Sequence, residues 1–248
     1  MVEYNSKKNH PMLNISGEYL NTLDIEGFSL MMKDPSYCYK FYWLEAIVNL
    51  ISTGILDTTF EEIIDEMIAN AWYAVRELHI HLSRTQHGEV RDGLERAVMK
   101  LADVSTLPPT ASKSEIKQAI CIHFSELKPY KEQLTNMVPY RALAGFFQRM
   151  NAPANWSSST RMVEYIKRVN QVVLLPYTLG TSKKLKKEVH FNSLWSKMIQ
   201  DNMVSILRWI QDEKVQWLQM NNPDMPDLEH KLAPSNIKIR KLDKIRNL

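Results

Sequence analysis

Residues 35–51 read Pro-Ser-Tyr-Cys-Tyr-Lys-Phe-Tyr-Trp-Leu-Glu-Ala-Ile-Val-Asn-Leu-Ile, and no other stretch restricts the fold so strongly. Five aromatic residues fall within seven positions, 37–43. Tyr39, Tyr42, Ala46 and Leu50 form one line of three-or-four-residue steps, and Phe41, Leu44, Val48 and Ile51 form another. Two such lines cover well over half of a helical cylinder with apolar atoms. A helix of that kind is buried on several sides, so other helices must stack on it. Its two charges, Lys40 and Glu45, then each need a partner or a path to water.

The rest of the chain supports a mainly α fold: a multi-helix, orthogonal or bundle-like domain with one small β-hairpin near residues 172–191. Seven glycines in 248 residues are few for a turn-rich all-β protein. A short helix is expected over residues 24–33, with Asp34 and Pro35 restarting the chain and Gly54 closing the central helix. Thr58 and Thr59 followed by Glu61 and Glu62 signal the start of a long amphipathic helix over 60–78, antiparallel to the central one. Its carboxylates, Glu61, Glu62, Asp65 and Glu66, fall on the polar face, where solvation is the simplest expectation. Further helices are expected over 89–103, from Ser112 (a second capping box with Glu115), over 128–136, over 138–147 and from about 157 to 170. Residues 191–193 cap a final long helix that ends near Asn221. Gly180 is expected in the turn of the hairpin. The domain plan is an arm over 1–20, a helical domain over 21–221 with a candidate subdivision near 105–112, and an extended linker with a basic tail over 222–248.

Charge is unevenly placed. Residues 181–190 hold four lysines against one glutamate, and residues 237–248 hold five basic residues against one aspartate. With a net charge of +3, the remainder of the chain is acidic. Lys183, Lys184, Lys186 and Lys187, and Lys238, Arg240, Lys241, Lys244 and Arg246, are therefore the candidate contacts to a polyanion such as DNA, with a plainly solvated lysine hairpin as the competing reading. Arg141, at the start of an apolar helix, is an anion-binding candidate or the partner of a buried carboxylate or carbonyl.

No phosphate-binding glycine loop, nucleophile elbow or His-Glu-x-x-His motif is present. His79, His81 and His87 match no standard zinc spacing, so no metal or cofactor is assigned to the chain. Cys38 and Cys121 both fall in apolar helical patterns, which suggests buried free thiols. No apolar run reaches a membrane span, and the first ten residues lack a secretory h-region, so the expectation is a cytoplasmic protein with no membrane partner.

Four segments together resemble bacterial proteins of the HNH endonuclease domain-containing group. They are Ser36-Tyr-Cys-Tyr-Lys-Phe-Tyr-Trp-Leu-Glu-Ala-Ile47, Met67-Ile-Ala-Asn-Ala-Trp-Tyr-Ala-Val75, Val138-Pro-Tyr-Arg-Ala-Leu-Ala-Gly-Phe-Phe147 and Asn222-Pro-Asp-Met-Pro226, in the same order as in that group. The resemblance implies an N-terminal helical region, with a ββα-metal nuclease module following residues 237–248. That module's Asp-His pair and Asn-x-x-Lys-x-x-His arrangement have no counterpart in these residues, so no catalytic or metal-binding role carries over. A divalent metal would belong to that absent module. Two functions remain open: positioning DNA or a partner for a nuclease module, and protein interaction or self-association, which the amphipathic tail (Ile237, Ile239, Leu242, Ile245, Leu248) also suits.

Overall fold

The computed structural model describes residues 13, 15–33, 38–83, 90, 92–136, 138–147, 150–151 and 159–232. Its elements are α1 (Ile25–Ser29), α2 (Tyr39–Ser52), β1 (Asp57–Thr59), α3 (Phe60–Arg76), α4 (Gly93–Val104), α5 (Lys113–Ile122), α6 (Phe124–Leu134), α7 (Val138–Arg141), α8 (Ser159–Asn170), β2 (Tyr177–Leu179), β3 (Glu188–Phe191), α9 (Ser193–Asp201), α10 (Met203–Asn221) and α11 (Leu228–Lys231), with 3-10 turns at Leu30–Met32, Ala142–Phe147 and Lys184–Lys186. Among the described residues the fold is mainly α with one small three-stranded sheet. The expected caps at Asp34 and Pro35 lie outside the described residues.

The aromatic stretch is the spine. α2 packs against α3, α7, α9 and α10, and Phe41, Tyr42, Trp43, Leu44, Ala46, Ile47, Val48, Leu50 and Ile51 are all buried. Both of its charges are matched. Lys40 Nζ donates to the Lys33 carbonyl at 3.1 Å, and Glu45 pairs with Lys214 at 2.9 Å, the ammonium lying 4.8 Å from the Tyr42 ring centroid. The helix ends in a Schellman motif: Gly54 N–H reaches the Ile51 carbonyl at 3.0 Å and Ile55 N–H the Leu50 carbonyl at 3.3 Å. Gly54 sits at φ +83°, where a side chain would be strained.

Trp43 ties this spine to the sheet. Its indole N–H donates to the Tyr177 hydroxyl at 3.1 Å, which donates in turn to the Pro139 carbonyl at 2.6 Å. The sheet order is β1-β3-β2, all antiparallel. Thr58, Tyr177, Leu179, Val189 and Phe191 form its buried side, while Asp57 and His190 pair across its outer side at 2.7 Å. The hairpin is thus shorter than its sequence suggests. Val172 is 73% exposed just past α8, and Gly180 continues the ladder by donating to Glu188 O at 2.9 Å instead of forming the turn.

Capping boxes start α3 at Thr59/Glu62 and α5 at Ser112/Glu115, as expected. Between them, Trp72 Nε1 holds the Pro108 carbonyl at 3.0 Å. α6 begins at Phe124 and carries Pro129 inside it, earlier than the expected start at residue 128. Ser125 and Pro129 are both exposed, so water can satisfy the carbonyl that a proline nitrogen leaves unbonded. Gly145 is required by close approach, since a Cβ there would lie 2.3 Å from the Gly27 carbonyl oxygen.

The expected final long helix is two helices. At the break, Asn202 donates from Nδ2 to the Met198 carbonyl at 2.8 Å and accepts the Ser16 backbone N–H on Oδ1 at 3.0 Å. A side chain that competes for backbone groups interrupts the ladder. The same contact docks the end of the expected arm: Ile15 and Tyr19 are buried, and the Tyr19 hydroxyl meets Lys197 at 3.0 Å and also Asp201. Residues 222–232 are likewise packed rather than extended, with Leu228 buried and Gln219 Nε2 bound to the Met225 carbonyl at 2.7 Å. Cys38 is buried and Cys121 exposed, which corrects the expectation for the second thiol; both are free. Among the described residues no helix is long and apolar enough to cross a membrane.

Candidate nucleic-acid interface

The lysine-rich connection between β2 and β3 separates its four cations into different environments. Lys183 and Lys186 are exposed. Lys184 takes a positive φ of 52° and pairs with Glu132 of α6 at 2.6 Å. Lys187 is 5% exposed, and its ammonium donates to the Gly180 carbonyl at 3.3 Å. Burial pushes the Lys187 pKa down, Glu188 works against that shift, and the charge of Lys167 adds to it. Two of the four predicted contacts therefore face solvent, one is shared with a carboxylate, and Lys187 is a structural lysine.

A second set of exposed cations lies on the neighbouring helix, α8. α8 packs on β2, with Met162, Val163, Tyr165, Ile166 and Val169 buried. Its outer residues are Arg161, Glu164, Lys167 and Arg168. Lys167 and Arg168 occupy the last turn, where positive charge complements the helix dipole. Sequence reading passed over this cationic face; the polar residues at 161, 164 and 168 falling between apolar ones were its available signal. Arg168 lies over the Tyr165 ring at 5.8 Å, and that ring is itself buried, so it offers no platform for base stacking.

The other sequence candidates fall elsewhere. Arg141 is exposed at the fourth position of α7, where the chain runs on into the 3-10 turns over Ala142–Phe147. Lys238, Arg240, Lys241, Lys244 and Arg246 lie outside the described residues, as does His87.

Of the α3 carboxylates, Glu62 is exposed as expected, whereas Glu61, Asp65 and Glu66 are paired with lysines of other helices instead of being simply solvated. Lys131 of α6 is fully buried and bridges Glu61 at 3.0 Å and Asp65 at 2.7 Å. Glu66 is held by Lys117 at 2.8 Å and by Lys113 of the same helix, α5. Burial pushes the Asp65 carboxyl up to about 6 against the pull of Lys131. Burial also acts to raise Glu66, but Lys113 and Lys117 outweigh it and hold its carboxyl below the usual range. Glu62 is committed to capping and to the Thr58 hydroxyl at 2.6 Å. These acids clamp α5 and α6 onto α3. Among the described residues no group of three His, Cys, Asp or Glu side chains is arranged to hold a metal ion. No protein family, curated protein or solved structure compared with the chain matches it.

Proposed function

We propose that this chain is the non-catalytic helical region of an HNH-type endonuclease and that it holds the phosphate backbone of DNA for a metal-dependent nuclease module. The observation that carries the nucleic-acid part is the exposure of Lys183 and Lys186 on the β2–β3 connection and of Lys167 and Arg168 at the end of α8, the helix packed on β2. The nuclease part rests on the order of the four resembling segments. Exposed lysine and arginine side chains suit contacts to phosphates, which position a duplex without reading its sequence.

Counterion release makes such binding steeply dependent on salt, with a slope of about −0.9 per phosphate contacted on duplex DNA. Four phosphate contacts give a loss of affinity on the order of a hundredfold between 50 and 200 mM salt. Fluorescence anisotropy with a labelled duplex at both concentrations measures it. Binding that ignores salt, or a failure to bind at the lower concentration, overturns the reading. Light scattering on the same samples separates it from self-association, in which the protein changes mass without DNA.

A further inference from the structure

The approach to α4 concentrates ionisable groups that neither the sheet nor the cationic surface uses. Asp92 caps this helix from a fully buried position, its Oδ1 accepting the N–H groups of Leu94 and Glu95, each at 2.9 Å. One turn on, Glu95 is 3% exposed. Its Oε1 lies 2.7 Å from His81 Nδ1, and its Oε2 accepts the Leu82 N–H at 2.8 Å. The backbone of His81 is clamped from the other side by one amide: Asn222 Oδ1 accepts the His81 N–H and Asn222 Nδ2 donates to the His81 carbonyl, both at 2.8 Å. Residues 79–83, the start of α4 and the end of α10 are thus joined through His81, Asn222 and the buried Glu95, with Asp92 capping the same helix one turn before.

Among the described residues, the surrounding cations are mostly engaged elsewhere. α2 contributes Cys38, Tyr39, Tyr42 and Glu45, and the Tyr39 hydroxyl accepts the Gly93 N–H at 2.6 Å. From α10 comes Lys214, already paired with Glu45 at 2.9 Å. On α3, Arg76 lies over the Trp72 ring at 5.7 Å. On α6, Lys131 is taken by Glu61 and Asp65, and Gln133 accepts from Arg96 at 2.6 Å. Among the described residues, His81 is the base in direct contact with Glu95.

We propose that this junction is a proton-operated latch, in which a proton on the buried Asp92 carboxyl relieves its repulsion with Glu95 and so holds residues 79–83 and the end of α10 against α4, and loss of that proton loosens them. Two carboxylates buried within one helical turn repel each other when both are ionised and both lie out of water. Burial pushes the Asp92 carboxyl up to about 7; its cap hydrogen bond from Glu95 opposes the shift and the charge of Glu95 reinforces it. The sign follows from linkage. A carboxyl raised in the folded state takes up its proton on folding, so its contribution to stability is complete below its unfolded value and is lost as pH rises through about 7.

Amide hydrogen exchange, corrected for the intrinsic effect of pH, reads the latch locally. Between about pH 6 and pH 8.5, protection of residues 79–83 and 92–95 is expected to fall by about tenfold or more, while that of α2 stays constant. Asp92→Asn keeps an oxygen for the cap and removes the charge, so its protection at pH 8.5 is expected to match that at pH 6. An equal loss in Asp92→Asn and the unmodified protein overturns the proposal. So does constant protection in the unmodified protein, which decides the matter even if the variant does not fold.

Discussion

Replacing Lys131 with methionine is expected to destabilise the protein by about 3–5 kcal/mol, the usual cost of breaking a buried ion pair from one side. Lys131 is wholly buried on α6, its ammonium 3.0 Å from Glu61, 2.7 Å from Asp65 and 5.0 Å from the Phe124 ring centroid. Methionine fills most of the volume, so the loss is electrostatic. Asp65 is left buried without its cation, and its carboxyl, already raised to about 6, moves further up. A group raised in this way regains stability as pH falls through its folded value, so the deficit is expected to be largest near pH 8 and to shrink toward pH 5. In a chain of this size the thermal midpoint drops by roughly 6–20 °C. Thermal and urea melts at the two pH values check this. Adding Asp65→Leu to Lys131→Met removes the orphaned charge and is expected to recover much of the loss.

Trp43→Ala is expected to cost about 3–5 kcal/mol by opening a cavity in the spine. The indole is fully buried, meets Phe60 edge-on at 5.7 Å and Tyr177 at 6.2 Å, and donates to the Tyr177 hydroxyl. The loss therefore reaches beyond α2: it frees the side chain that links β2 to Pro139 at the start of α7. Trp43→Phe keeps part of the packing and forfeits the hydrogen bond, so it falls between the two, at about 1–2 kcal/mol. Urea denaturation gives the order directly. Equal stability of Trp43→Ala and the unmodified protein would mean that α2 is not the buried centre.

What the sequence discloses here is what its near neighbours determine. The α2 pattern, the Thr59/Glu62 and Ser112/Glu115 boxes and the Gly54 terminator are all complete within a few residues, and each forms as its residues indicate. What escaped depends on distant partners. β1 has only three residues and becomes a strand because β3 arrives beside it, as in the pair Asp57 and His190. The break at Asn202 needs Ser16. The acids of α3 look solvated until α5 and α6 lay Lys113, Lys117 and Lys131 over them. The candidate interface divides in the same way. The lysine cluster is plain in the chain, yet only the fold separates the buried Lys187 from Lys183 and Lys186, and only the packing of α8 on β2 adds Lys167 and Arg168.

Reversing these four exposed cations together, as Lys167→Glu, Arg168→Glu, Lys183→Glu and Lys186→Glu, measures the role of the surface most directly. All four side chains are exposed, so the melting temperature and helix content should be preserved, which far-UV circular dichroism verifies. Affinity for duplex DNA in low salt is expected to fall by about tenfold or more, and the slope of log affinity against log salt to flatten by about 0.9 for each phosphate that the variant no longer neutralises. An intact, folded variant that binds DNA as tightly and with the same salt slope as the unmodified protein would contradict the assignment of this surface.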